Sequence, residues 1–279
     1  RCWKGETSDV IFECSPGVES IRNFSPAGYV GWNMSVPDQY RADFILSELK
    51  QFESEKVFPQ LTFICLPNDH TSGTSAGCPT PAACMADNDL ALGRIVEGLS
   101  HSTFWKEMAI FVIEDDPQAG WDHVSGYRTT AWVISPWSKR NKTISTLYNT
   151  TSVLRTIEQI LGLPPMNRFD ASASPMFDCF QEQPDYSPYD CVPNLVPLDQ
   201  MNPSPTAILD PILRDDALVS GTLNFLQIDA APEDTLNRIL WRSQKGSEDP
   251  YPSWAVQVFD DEQEEQEQRQ LRITPAESK

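Results

Sequence analysis

The chain has 279 residues, 40% apolar and 10% aromatic, with 40 acidic residues against 21 basic ones. That length and apolar content suffice for a buried core, in one large α/β domain or two small ones, and they exclude global disorder. A formal charge of −19 argues against nucleic acid and anionic membranes as partners, and no apolar run reaches the ~20 residues a membrane-crossing helix needs.

In chain order, residues 1 to 36 are irregular and turn-rich. The stretch SVPDQYRADFILSELKQFES then carries Ser35 and Pro37 as start signals and apolar residues at Ile45, Leu49 and Phe52, which predicts an amphipathic helix. FPQLTFICLPNDHTSG predicts a short strand that breaks at Pro67. ADNDLALGRIVEGLSHS places Leu92, Ile95, Val96 and Leu99 on one helical face, with Asp87 and Asp89 as acidic capping residues of its first turn. Strands are expected at 109–114 and in TTAWVISPW, which stops at Pro136. A helix over 150–162 follows, with Val153, Leu154, Ile157, Ile160 and Leu161 as its stripe and Gly162 as its stop. Alternation of strands and helices predicts a mainly parallel sheet with flanking helices. Residues 165–210 read as a long wrapping segment. APEDTLNRILWRSQKG predicts a last helix between Pro232 and Gly246.

The first residue is Arg1, which fits a processed or truncated product. Six of the seven cysteines form sequence-local pairs, Cys2 with Cys14, Cys78 with Cys84 and Cys179 with Cys191. Cys65, in the apolar run LTFICL, reads as a core thiol. Local disulfides and four sequons, Asn23, Asn33, Asn141 and Asn149, predict a secreted, glycosylated protein.

Two clusters stand at expected strand ends, where ligands collect in parallel α/β sheets. One is Asn68, Asp69 and His70; the other is Glu114, Asp115, Asp116, Asp122 and His123. Carboxylates suit hard divalent cations and imidazole suits zinc, iron or manganese, so the mixture points to one or two divalent ions, Zn, Fe, Mn or Ca. Two such ions can clamp the oxygens of a phosphoryl displacement. The bland readings are an Asx-turn for Asp69 and packing for Trp121 and Trp137. His101 reads as a surface residue facing a helix C-terminus.

Around these residues the sequence resembles a known family. VPDQYRAD, LPNDHTSGT, ADNDLALGRIVEGLSHSTFWKEMAIFVIEDDPQAGWDHV and SGTLNFLQIDAAPEDTLNRILWRSQKG are similar to the carboxyl half of secreted phosphoesterases of the alkaline phosphatase-like superfamily. The closer likeness is to alkaline phosphatase family proteins fused to a YncE-type β-propeller. It runs over about residues 28–248 and is densest over 60–140. The resemblance implies a three-layer α/β/α sandwich, of which this chain is the carboxyl-terminal portion. It also implies hydrolysis of phosphate esters, with Asp69, His70, Asp115, Asp116 and His123 as metal ligands. Asn68, Glu114, Asp122, Tyr127 and Arg128 are candidates for substrate contact or for supporting the ligands.

The expected division is an irregular segment at 1–27 and an α/β metal-binding core portion at 28–165. A wrapping segment and helix of the same domain follow at 166–250, then an acidic tail at 251–279, disordered or a solvated helix.

Two departures from the family pattern bear on activity. The run DHVSGYRT has Ser125 and Tyr127 where relatives carry an acidic residue and a second histidine. The nucleophilic Ser or Thr belongs to the family's amino-terminal half, and nothing upstream of residue 28 resembles that half; Ser15, Ser20 and Ser25 lie outside any matching motif. The expectation is a phosphoesterase completed by a separate amino-terminal chain or fragment. The alternative is a non-catalytic extracellular module that reuses the scaffold for binding or assembly.

Overall fold

The computed structural model describes residues 18–115, 128–227 and 230–252. Cys2, Cys14, Asp116, Trp121, Asp122, His123, Ser125, Tyr127 and most of the acidic tail lie outside the described residues. The fold mixes helices with a small sheet and divides into two compact units. One takes the described residues of Arg1–Ser72, Cys78–Glu114 and Thr130–Met201; the other takes those of Gly73–Gly77, Asp115–Thr129 and Asn202–Lys279.

In the first unit, helix α1 (Asp38–Glu55) begins after the extended backbone of Pro37. It stops at Lys56, whose left-handed φ of 57° returns its N–H to the carbonyls of Phe52 and Glu53. Helix α2 (Pro81–His101) starts earlier than its acidic residues suggest, because the Thr80 hydroxyl accepts the Ala83 N–H at 3.2 Å and Pro81 follows it. Asp87 and Asp89 therefore lie inside the helix rather than capping it. The two helices pack through Ala42, Leu49, Ala91, Ile95 and Leu99, each Leu or Ile worth about 1.5–3 kcal/mol when fully buried. Gly98 permits the close approach: a Cβ there would fall 2.3 Å from Leu46 Cδ2.

Strands β1 (Ile110–Ile113) and β2 (Ala131–Ile134) pair antiparallel, with Ile110 opposite Ile134 and Phe111 opposite Val133. This departs from the expected parallel sheet. A parallel pair needs a crossover, usually helical, and the sequence joining these strands has no helical periodicity to supply one. Successive side chains take opposite faces. Ile110 joins the α1–α2 cluster, whereas Phe111 and Val133 join a second cluster around Val153, Met176 and Cys179.

The segment 61–66, expected as a strand, has no ladder partner among the described residues. Its alternation survives: Ile64 and Leu66 pack on the first cluster, while Leu61, Phe63 and Cys65 face outward, Phe63 with 91% exposure. Cys65 is thus exposed and not a core thiol, because it falls on the outward phase of that alternation.

Helix α3 (Thr150–Leu161) is capped reciprocally. Asn149 Oδ1 accepts the Ser152 N–H at 3.0 Å, Ser152 Oγ accepts the Asn149 N–H at 3.4 Å, and Gly162 ends the helix at φ 68°. Of the expected stripe, Val153 and Ile157 enter the second cluster, but Leu154 and Ile160 are exposed. Polar residues share the buried face. Thr156 Oγ1 accepts the Met176 N–H at 3.0 Å, and buried Glu158 meets Arg155 at 3.2 Å. A short helix α4 (Arg168–Ser172) follows, with the buried Asp170 carboxylate accepting the N–H groups of Met166 and Asn167.

The expected disulfides Cys78–Cys84 and Cys179–Cys191 are not formed. Cys179 sits in the second cluster, whereas the Cys191 sulfur lies against Gly93 of α2.

The second unit contains helix α5 (Pro211–Ser220), which the sequence reading passed over, and helix α6 (Glu233–Lys245), bounded by Pro232 and Gly246 as expected. Asp210 caps α5 by accepting the Ile212 and Leu213 N–H groups at 2.8 and 3.3 Å. Arg242 of α6 reaches Asp216 of α5 through Nε at 2.6 Å and Nη2 at 2.5 Å, above the buried Ala217, Leu236 and Ile239. Gly73 has φ +55° in this unit, and a Cβ there would meet Ser220 Oγ at 2.7 Å.

Candidate functional site

Within the first unit, Asn68, Asp69 and His70 form a single 3-10 turn after Pro67. Asn68 is buried and held from two helices. Its backbone N–H donates to Asp38 Oδ2 at 3.0 Å, and its side-chain Nδ2 donates to Asp87 Oδ2 at 2.6 Å. The same Asp87 oxygen accepts the Asp38 N–H at 2.6 Å, so Asp87 supplies the cap that Pro37 cannot give α1. Asn88 Nδ2 donates to Asp38 Oδ2 at 3.1 Å and to the Leu66 carbonyl at 2.8 Å.

Arg41, fully buried, completes the cluster. Its Nη1 donates to Asp38 Oδ1 at 2.9 Å and to the Val36 carbonyl at 2.7 Å. Nε reaches the Val30 carbonyl, and Nη2 reaches those of Gly31 and Asn33. The guanidinium's donors thus tie the 30–36 loop to α1. Burial pushes the Asp38 carboxyl up to about 7, against the pull of Arg41 and of the Asn68 N–H. Among the described residues Asn68 Oδ1 and Asp87 Oδ1 are buried with no hydrogen-bond partner.

The turn's exit is strained. Thr71, buried, has φ 62° and ψ 173°, a region costing a non-glycine residue about 1–3 kcal/mol. Its N–H closes the turn onto the Asn68 carbonyl at 3.0 Å. The half-buried His70 ring meets the edge of Trp32 at 4.8 Å between centroids, with Nδ1 3.4 Å from the Thr71 carbonyl. Asp69 Oδ1 accepts the His70 N–H at 3.1 Å. A carboxylate and an imidazole are therefore adjacent on a turn whose base is fixed.

The second cluster is described only in part. Glu114 follows β1, where its N–H meets the Thr130 carbonyl at 3.3 Å and its Oε2 accepts the Thr130 hydroxyl at 3.1 Å. Asp115 and Arg128 are exposed and belong to the other unit. Among the described residues no group of three or more His, Cys, Asp or Glu side chains has metal-binding geometry.

His101 ends α2 on the surface, its Nδ1 2.9 Å from the Glu97 carbonyl. Trp137 spends its indole N–H on the Lys106 carbonyl at 3.1 Å. Among the sequons, Asn23 and Asn141 are exposed, Asn33 turns its Oδ1 onto Ser35, and Asn149 caps α3. The sequence reading missed Asp38, Arg41 and the cross-helix role of Asp87. The i,i+3 spacing of Asp38 and Arg41 was a legible sign of their pairing.

Residues 28–164 match the model of the Phosphoesterase family. The match spans α1 to α3 and includes both candidate clusters, and it supports a phosphoric ester hydrolase. No curated protein and no solved structure matches the chain.

Proposed function

We propose that this chain carries part of the active site of a metal-dependent phosphoesterase of the alkaline phosphatase-like type, acting in a secreted and glycosylated protein. The carrying observation is the Asp69–His70 turn. Its base is locked by buried hydrogen bonds and its exit is strained at Thr71, inside the segment that matches the phosphoesterase family. The donor chemistry fits: one oxygen and one imidazole ligand on consecutive residues suit zinc, iron or manganese. Asp69 and His70 would serve as ligands to a divalent ion, and the resemblance assigns the same role to Asp115, Asp116 and His123. Such an ion supplies positive charge to a phosphoryl oxygen and lowers the pKa of a bound hydroxyl. Trp32 fixes the His70 ring, and Asn68 fixes the turn that carries both ligands.

A three-layer sandwich accords with β1, which sends Ile110 to the α1–α2 cluster and Phe111 to the α3 cluster. A separate amino-terminal chain or fragment would bring the nucleophile and complete the sheet. Ser125 and Tyr127 favour the second reading, a non-catalytic binding module, because they replace residues that the resemblance expects to serve the metal site.

Elemental analysis of the purified protein, with hydrolysis of p-nitrophenyl phosphate and its diester before and after chelation, separates the two. Near-stoichiometric metal with chelator-sensitive turnover is the expected result. A metal-free protein without turnover would leave the module.

A further inference from the structure

We propose that Asp87, far from the turn in sequence, is a positioning residue for the Asp69–His70 pair and acts through Asn68. This rests on the metal-site reading above.

Asn68 is the base of the turn, and its two anchors come from different helices: Asp38, the first residue of α1, and Asp87, inside α2. Asp87 is the residue that joins them, since one of its oxygens takes both the Asn68 amide and the Asp38 N–H at 2.6 Å. Without it the Asn68 side chain loses its partner and α1 loses its cap, while the Asn68 N–H bond to Asp38 remains.

The arrangement is poor as a device for stability alone. Among the described residues Asn68 Oδ1 and Asp87 Oδ1 are buried without partners, and a buried acceptor left unmade keeps its full desolvation penalty. A pair of apolar side chains would fill the space without that cost. Thr71 adds backbone strain at the other end of the same turn. Strain and unsatisfied polar atoms on both sides of two candidate ligands accord with a turn built for geometry rather than for stability. Groups that orient metal ligands typically change affinity by about 10- to 100-fold when removed.

The experiment uses Asp87→Ala, Asn68→Ala and the double variant of the full chain, with Zn2+ and Mn2+ as probes. Dissociation constants are read by competition with a chromophoric chelator well below each variant's melting temperature, and urea stability is measured beside them. The expected result is a dissociation constant raised about 10- to 100-fold in each single variant, with the double variant no weaker than the worse single one. An unchanged constant in a folded Asp87→Ala protein, or effects that simply multiply in the double variant, would overturn the proposal. If Asp87→Ala fails to fold, Asn68→Ala carries the test, and unchanged affinity there is equally fatal. A wild-type chain that binds neither ion removes the metal-site reading itself; binding that ignores Asp87 removes only this inference.

Discussion

Replacing Arg41 by Ala removes a fully buried guanidinium whose donors bond to four carbonyls and the Asp38 carboxylate. Deleting one partner of a buried ion pair costs about 3–5 kcal/mol. The Val30 and Val36 carbonyls sit in buried hydrogen bonds, and two stranded acceptors add about 2–6 kcal/mol. The loss, about 5 kcal/mol or more, rivals the whole stability of an ordinary domain. Arg41→Lys keeps the charge but offers three donors from one point, so an intermediate loss of about 2–3 kcal/mol is expected. Urea unfolding followed by far-UV circular dichroism gives both numbers. An Arg41→Ala protein within about 1 kcal/mol of wild type would show that the 30–36 loop rehydrates freely, and the buried-tie argument would be wrong.

Stability should vary with pH in two opposite senses. Asp38, pushed by burial from 3.8 to about 7, leaves the folded state holding a proton the unfolded state has lost. Between those values stability therefore falls as pH rises, by at most about 1.4 kcal/mol per unit, and Asp38→Asn should flatten that branch. Asp178, held below 3.8 by the Thr146 and Tyr148 hydroxyls, and Asp210, held below it by Ser247, contribute stability that disappears as pH drops through their depressed values. A urea midpoint that does not decline on either side of pH 4–5 would contradict both assignments. In the second unit, Arg242→Lys breaks a two-pronged bond to Asp216 and should cost about 1–3 kcal/mol, seen as faster amide exchange in α5 and α6. Gly73→Ala should cost about 1–3 kcal/mol, from its left-handed backbone and the Ser220 hydroxyl it would displace; an unchanged melting temperature would refute that.

The helices were legible where local signals bound them. Pro37 before α1, Gly162 after α3, and Pro232 and Gly246 around α6 act on their own neighbours, so the sequence shows them directly. Helix α5 has an equally local signal in Asp210–Pro211, masked by the Pro- and Asp-rich stretch around it. Pairing was less accessible. The alternation over 61–66 is visible in the chain, but whether a strand lies beside it depends on residues elsewhere. The same limit hid Asp87: an acidic residue near a helix start looks like a cap, and only the docking of α2 on α1 shows whose cap it is. The cysteine pairs misled because closeness in sequence says nothing about which packing cluster each thiol enters.

The Asn68 turn closes on residues 30 and 19 positions away, and those two meet each other across 49. Closing such loops costs chain entropy before any contact repays it, so the turn is ordered only once both helices have docked. In this unit the candidate ligands would then be among the last groups to settle during folding. An ion recognising them would slow unfolding while leaving the rate of folding almost unchanged.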